Sequence, residues 1–299
     1  MRKYFLCCLA VILILTACLS GCRGGSTTKT DSPTVYTAGL YRKGETHIAC
    51  YWKGDTLHPL PSDSNSSNGR SIYVYGGTVY TAGSYYTGGK NRACYWEGEN
   101  LHSLPVDGDY SAYAESIYVY EGTVYTAGRY YDGTKNIPCY WEGKTLHSLP
   151  GSGNDHAYAK SIYVYEGTVY TAGYYYTGGK TRACYWEGEN LYPLSVDVDA
   201  CAESIYVYEG KIYTAGHYSN ETNGDIPCYW EGKTLHSLPV DGDYNAAYAT
   251  SIYVYGGTVY TAGFYTGDKG GPCYWKGDAL HILPAGDDNS AYANAIFVQ

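Results

Sequence analysis

Beyond residue 33, apolar and aromatic residues come in short runs separated by glycine-containing pairs, with almost no stretch showing the three-to-four-residue spacing of an amphipathic helix. One such stretch, 116–150, shows the pattern. SIYVY (116–120) is followed by the pair Glu121-Gly122 and then TVYTAG (123–128), which reads as a hairpin. After a loop of Tyr, Asp, Gly and Lys come PCYW (138–141), the pair Glu142-Gly143, and LHSLP (146–150). We name the four predicted strands a, b, c and d. Their runs are apolar or aromatic at both parities, so both faces of each small sheet should be covered.

The unit recurs. Cys-Tyr-Trp begins at Cys50, Cys94, Cys139, Cys184, Cys228 and Cys273, giving spacings of 44, 45, 45, 44 and 45 residues. A four-stranded unit with a period of about 45 residues is the signature of a propeller blade. The sequence therefore predicts an all-β, six-bladed β-propeller with four antiparallel strands per blade. Residues 295–299 align with strand a (116–120), while Thr34 aligns with Thr123 in strand b, so the two ends are complementary parts of one blade. From Cys273 through Gln299 and Thr34 back to Cys50 is 43 steps, or 45 once the two missing turn residues are restored. Closure is thus expected by pairing of the C-terminal strand with the N-terminal three, which leaves no bare sheet edge.

Composition sharpens this. The 40 Tyr and 38 Gly beside only 3 Phe and 1 Met in 299 residues fit strands and tight turns. The net charge of -9 and the scattering of Lys and Arg argue against nucleic acid as a partner.

The first 22 residues differ from the rest. Arg2 and Lys3 give a basic start, and an apolar run follows over 4–19, too short for a stable span, which reads as an export signal. It ends on Leu19-Ser20-Gly21-Cys22, which resembles the lipobox of bacterial lipoproteins; Leu15-Thr16-Ala17-Cys18 fits the same pattern. The resemblance implies a lipid anchor on Cys22, with Cys18 as the alternative, and Arg23 in place of Asp implies the outer membrane rather than the inner. The expected organisation is a signal peptide at 1–22, a polar tether at 23–33 and the propeller at 34–299.

SIYVYEGKIYTAG (204–216), with Trp230 and LHSLP (235–239), resembles the kelch-type repeat, which has a hairpin ending in glycines and then Trp before Leu-Pro. This chain has Ala-Gly where kelch units carry Gly-Gly, and its unit is shorter than their roughly 50 residues. It is also similar to bacterial repeat lipoproteins with units reading roughly SIFV, VYVAGY and ATYWKNG. The resemblance implies fold and location.

The six repeated cysteines should be buried and unpaired, because stacked sheets lie about 10 Å apart and a disulfide needs Cα atoms within about 7 Å. Cys201 stands apart as a candidate free thiol. His58, His102, His147, His236 and His281 recur at one place in strand d, with Tyr192 in the fourth copy, which points to a structural role. His47, His156 and His217 have no partner evident in sequence. Paired carboxylates such as Asp107 and Asp109, Asp197 and Asp199, and Asp241 and Asp243 read as solvated turn residues without the spacing of a calcium loop.

No convergent triad, catalytic carboxylate pair or metal set is evident, so no catalytic residue, metal or cofactor is expected and the chain reads as a monomeric binding protein rather than an enzyme. The b-to-c and d-to-a connections should emerge on one face, rich in Tyr, Gly, Asp, Asn and Ser. The candidate ligand-binding residues there are Tyr86, Tyr131, Tyr176, Tyr218, Tyr265, Asp109 and Asp243. The expected partner is a glycan or an extracellular protein. Two alternatives are a structural or assembly factor that docks cell-envelope proteins and a propeller hydrolase or lyase acting at the axial end of the ring.

Overall fold

The runs predicted as strands a to d form antiparallel sheets in which each strand pairs with its sequence neighbours. A computed structural model describes residues 34–62, 64, 66–151, 153, 155–194, 196–220, 224–240, 244–267, 270–284 and 292–298. The expected signal peptide, the cysteines Cys18 and Cys22, the tether and Asp243 lie outside them. The folded unit spans Val35–Gln299. Strand a occupies Ser67–Tyr75, Ala112–Tyr120, Ala157–Tyr165, Ala200–Tyr208 and Ala246–Tyr255 in blades two to six, and each opens a four-stranded sheet ordered a-b-c-d. The first blade begins at strand b, Tyr36–Lys43, and has three strands. The architecture is a six-bladed β-propeller.

Three repeated devices join the blades, all using residues that the sequence repeats. The first is tryptophan. Trp96, Trp141, Trp186, Trp230 and Trp275 are fully buried. The indole N–H of Trp96, Trp141, Trp186 and Trp275 donates to the carbonyl of Pro61, Pro105, Pro150 and Pro239 of the preceding blade, at 2.6–2.9 Å. In the second, the backbone N–H of Ile117, Ile162, Ile205 and Ile252 in strand a donates to Ser71, Ser116, Ser161 and Ser204 of the blade before, at 3.2–3.3 Å. The third is aromatic. Tyr73, Tyr118, Tyr163, Tyr206 and Tyr253 follow one another around the axis with ring centroids 4.7–4.8 Å apart. Neighbours in a regular hexagon stand as far from its centre as from each other, so these rings crowd the axis and narrow the channel.

The C-terminal segment enters both axial series. Ile296 N–H donates to Ser251 Oγ at 3.1 Å, and the Phe297 ring lies 5.0 Å from Tyr253. Residues 292–298 thus sit against the sixth blade as the strand a of the next blade would. Among the described residues no backbone ladder joins them to the strand Tyr36–Lys43, so one side of the expected closure is formed. Ala295 stands where the other copies have serine and Phe297 where they have tyrosine, so neither the serine acceptor nor the tyrosine hydroxyl is available to the second blade. Five hydrophobic clusters fill the junctions from the first blade to the sixth. At the remaining junction Trp52 is only half-buried and Phe297 is 69% exposed.

This asymmetry is testable. Ala295→Ser with Phe297→Tyr would restore the acceptor for Ile72 N–H and the missing hydroxyl, and should stabilise the protein by about 1 kcal/mol per hydrogen bond completed. A urea-unfolding midpoint no higher than that of the natural chain would show that the segment does not meet the second blade.

Candidate ligand-binding face

Strand a carries one extra residue in each of blades two to six. Its register against strand b slips between Gly69 and Ser71, Ala114 and Ser116, Ala159 and Ser161, Ala202 and Ser204, and Ala249 and Ser251. A β-bulge re-aims the extra side chain and disrupts the ladder locally. Each bulge rests on the glycine of the Thr-Ala-Gly run. A Cβ added at Gly83, Gly128, Gly173, Gly216 or Gly263 would lie 1.8–1.9 Å from the carbonyl oxygen of Asn68, Tyr113, Tyr158, Cys201 or Tyr248. The repeated glycine is therefore a steric requirement of the bulge.

The bulged residues vary from blade to blade: Arg70, Glu115, Lys160, Glu203 and Thr250. They interact across blades above the tyrosine ring. Glu115, with 6% of its side chain exposed, accepts from Arg70 Nη1 at 2.9 Å and from Arg129 Nη1. The Arg129 guanidinium also lies over the rings of Tyr113 and Tyr158, 4.5 and 5.2 Å from their centroids. Lys160 stands 3.6 Å from Glu203, and Thr250 Oγ1 donates to the Ala293 carbonyl at 2.7 Å. Charges of both signs thus meet at the end of the ring that bears the b-to-c and d-to-a connections.

Strand b varies at the residue after its glycine: Leu40, Ser84, Arg129, Tyr174, His217 and Phe264. In the fifth blade His217 is the cross-strand partner of Cys201, which lies in strand a rather than in a connection. The Tyr248 ring meets His217 edge-on at 4.8 Å, and its hydroxyl donates to Asp225 Oδ2 at 2.9 Å. His217, without a partner evident in sequence, is thus placed by the fold against Cys201 and Tyr248. Burial pushes the Cys201 thiol up to about 12, so it is held as the neutral thiol.

Burial also lowers the pKa of His217, against the raising effect of Glu203 and Asp225. Its Nδ1 is buried with no hydrogen-bond partner among the described residues. In the unfolded chain the imidazole gains its proton near its ordinary value of 6.5, and in the folded chain only at lower pH. The unfolded state therefore binds more protons in that interval, and stability falls as pH drops through and below about 6.5. His217→Phe should flatten this acid loss of stability. Identical pH dependence of the unfolding midpoint in the two proteins would rule the effect out.

The sequence-derived binding residues divide by parity. Tyr86, Tyr131, Tyr176, Tyr218 and Tyr265 all lie in strand b, which runs further than expected; in the first, second and fourth blades it reaches c through tight two-residue turns, Gly44-Glu45, Gly88-Gly89 and Gly178-Gly179. Tyr86, Tyr131 and Tyr176 stand three residues after the glycine and are 46, 38 and 39% exposed. Tyr218 and Tyr265 stand two residues after it and point the other way. Tyr218 is half-buried with its hydroxyl 3.0 Å from Ser237 Oγ, and Tyr265 is 7% exposed inside the junction of blades five and six. As a correction to the sequence reading, these two belong to the packing, because side chains one residue apart in a strand face opposite ways.

Asp109 is bonded to Lys90 and Arg92 of strand c, and these bonds hold its carboxyl below the usual carboxylate range. It pins a connection to the sheet. Asp197 is likewise within 3.8 Å of Lys180 and 3.3 Å of Arg182. The strand-d histidines stack flat on tyrosines of strand c, with centroids 4.5–4.7 Å apart. The six repeated cysteines are buried and free.

Sequence reasoning missed the bulged residues, although a signal was present. Each is the varying position immediately before a nearly constant SIYVY.

Neither a family model nor a curated protein matches the chain. Among solved structures, it is similar to the β-propeller domain of the Trilobed protease from Pyrococcus furiosus, a propeller of open velcro topology. The TM-score is 0.50 at 9% identity, over 85% of this chain and 79% of that one. The likeness is one of fold. It carries no activity across to this propeller.

Proposed function

We propose that the chain is a lipid-anchored binding propeller of a bacterial cell envelope that recognises a glycan or an extracellular protein through the face bearing its d-to-a connections. The observation that carries this reading is the set of bulges aiming Arg70, Glu115, Lys160, Glu203 and Thr250 into one end of an otherwise repeated frame. Binding sites need a few placed polar groups on a rigid scaffold, and this end provides them beside the exposed Tyr86, Tyr131 and Tyr176. The three tyrosines come from successive blades, which suits contacts that add through effective concentration.

The test is a glycan array in parallel with capture of extracellular and envelope proteins. Tyr86→Ala, Tyr131→Ala and Tyr176→Ala are then introduced singly and together. Graded weakening with each added substitution supports the reading, whereas unchanged capture by the triple variant removes this face from consideration. The anchor rests on the lipobox resemblance. Cys22→Ser should abolish incorporation of a labelled fatty acid, and loss only with Cys18→Ser would move the anchor to that residue.

A further inference from the structure

At three blade junctions the loop end beside the axis is filled in the same way. A strand-c side chain bonds the hydroxyl of a strand-a tyrosine from the next blade: Asn91 with Tyr113 at 2.8 Å, Asn136 with Tyr158 at 3.1 Å, and Asp225 with Tyr248 at 2.9 Å. Between the first and second blades the corresponding pair is His47 and Asn68, and the short amide does not span the distance a tyrosine would. Opposite Asn68, strand b of the second blade has Ser84 where the third and fourth have Arg129 and Tyr174. Both changes remove bulk. A cavity of about 210 Å³ results, lined by Leu40, His47, Asn68, Arg70, Ser84 and Tyr113 among others.

Its walls define a ligand. The side chains of His47, Asn68 and Ser84 make no hydrogen bond among the described residues, and Ser66 and Asn91 add further polar groups. These groups offer donors and acceptors side by side. Arg70, the one lining residue with a fixed charge, is already neutralised by Glu115. A zwitterion or an anion would need an uncommitted counter-charge, which the lining does not provide. Leu40, 41% exposed, and the Tyr113 ring supply apolar surface for C–H faces. The volume is below the roughly 300–1,000 Å³ of pockets for drug-sized molecules. We propose that this cavity binds one neutral sugar unit, its hydroxyls bonded to His47, Asn68 and Ser84. The inference rests on the glycan reading above and assigns that reading a specificity pocket.

The test uses the full-length chain and titrates glucose, galactose, mannose and N-acetylglucosamine by calorimetry, with the array glycans as competitors. Asn68→Tyr carries the tyrosine of the neighbouring blades into the second and should fill the cavity while bonding His47. It should weaken binding at least tenfold with an unchanged circular dichroism spectrum. Ser84→Ala keeps the space and removes one hydroxyl, and should weaken binding several-fold. This second variant decides the matter if the first fails to fold. Array glycans bound equally by both variants and the natural chain would overturn the pocket and leave the glycan reading standing. Absence of any sugar or array binding by the natural chain would overturn both together.

Discussion

Gly128→Ala is expected to lower the unfolding free energy by about 3 kcal/mol or more. The new methyl carbon would lie 1.9 Å from the Tyr113 carbonyl oxygen and 3.1 Å from Ala114 Cα. Both are backbone atoms, so no rotamer change relieves the clash and the bulge that holds Glu115 must give way. Arg70 and Arg129 would then lose their shared carboxylate. The natural control is Gly39→Ala. That glycine occupies the same repeat position in the first blade, but its nearest neighbour is Trp52 Cζ3 at 3.1 Å rather than a bulge carbonyl. Denaturant unfolding should show a clearly larger loss for Gly128→Ala, and equal losses would mean that the glycine is retained for another reason.

Trp141→Ala should cost about 3–5 kcal/mol, the range for truncating a large buried aromatic side chain. Trp141 is completely buried among Tyr80, Tyr95, Leu104, Ile117 and Val119, at the junction of the second and third blades. Its indole N–H donates to the Pro105 carbonyl at 2.7 Å, so Trp141→Phe should lose less, keeping most of the volume and forfeiting the hydrogen bond. The same truncation at Trp52 reports on ring closure. Trp52 is only half-buried beside the sixth-to-first junction, so Trp52→Ala should lose less than half as much. A loss matching that of Trp141→Ala would show that the last junction is packed as tightly as the other five.

The blades were legible because each is a local object. Tyr120, Glu121, Gly122 and Thr123 specify a hairpin from four consecutive residues, and Glu121 and Gly122 adopt the positive φ values of 48° and 81° that a tight turn matching strand twist needs. The inter-blade role of Trp141 was legible only as a repeat position, since its partner Pro105 is 36 residues away. The binding tyrosines were half legible. Tyr131 and Tyr218 look alike in composition and context, and only the register relative to Gly128 and Gly216 sends one outward and the other into the packing.

The sequence by itself determined the number of blades, the strands within them and the likeness of residues 295–299 to strand a, because these follow from residue pattern over distances of a few to some tens of residues. Tertiary structure alone decided which varying residues meet. Arg70 lies 45 residues before Glu115, and the two meet because bulges in strand a of successive blades turn their side chains toward one another, with Arg129 of strand b bonding the same carboxylate. Convergence of this kind depends on the one-residue slip in each ladder and on the rotation between blades, the second of which no local run of amino acids sets.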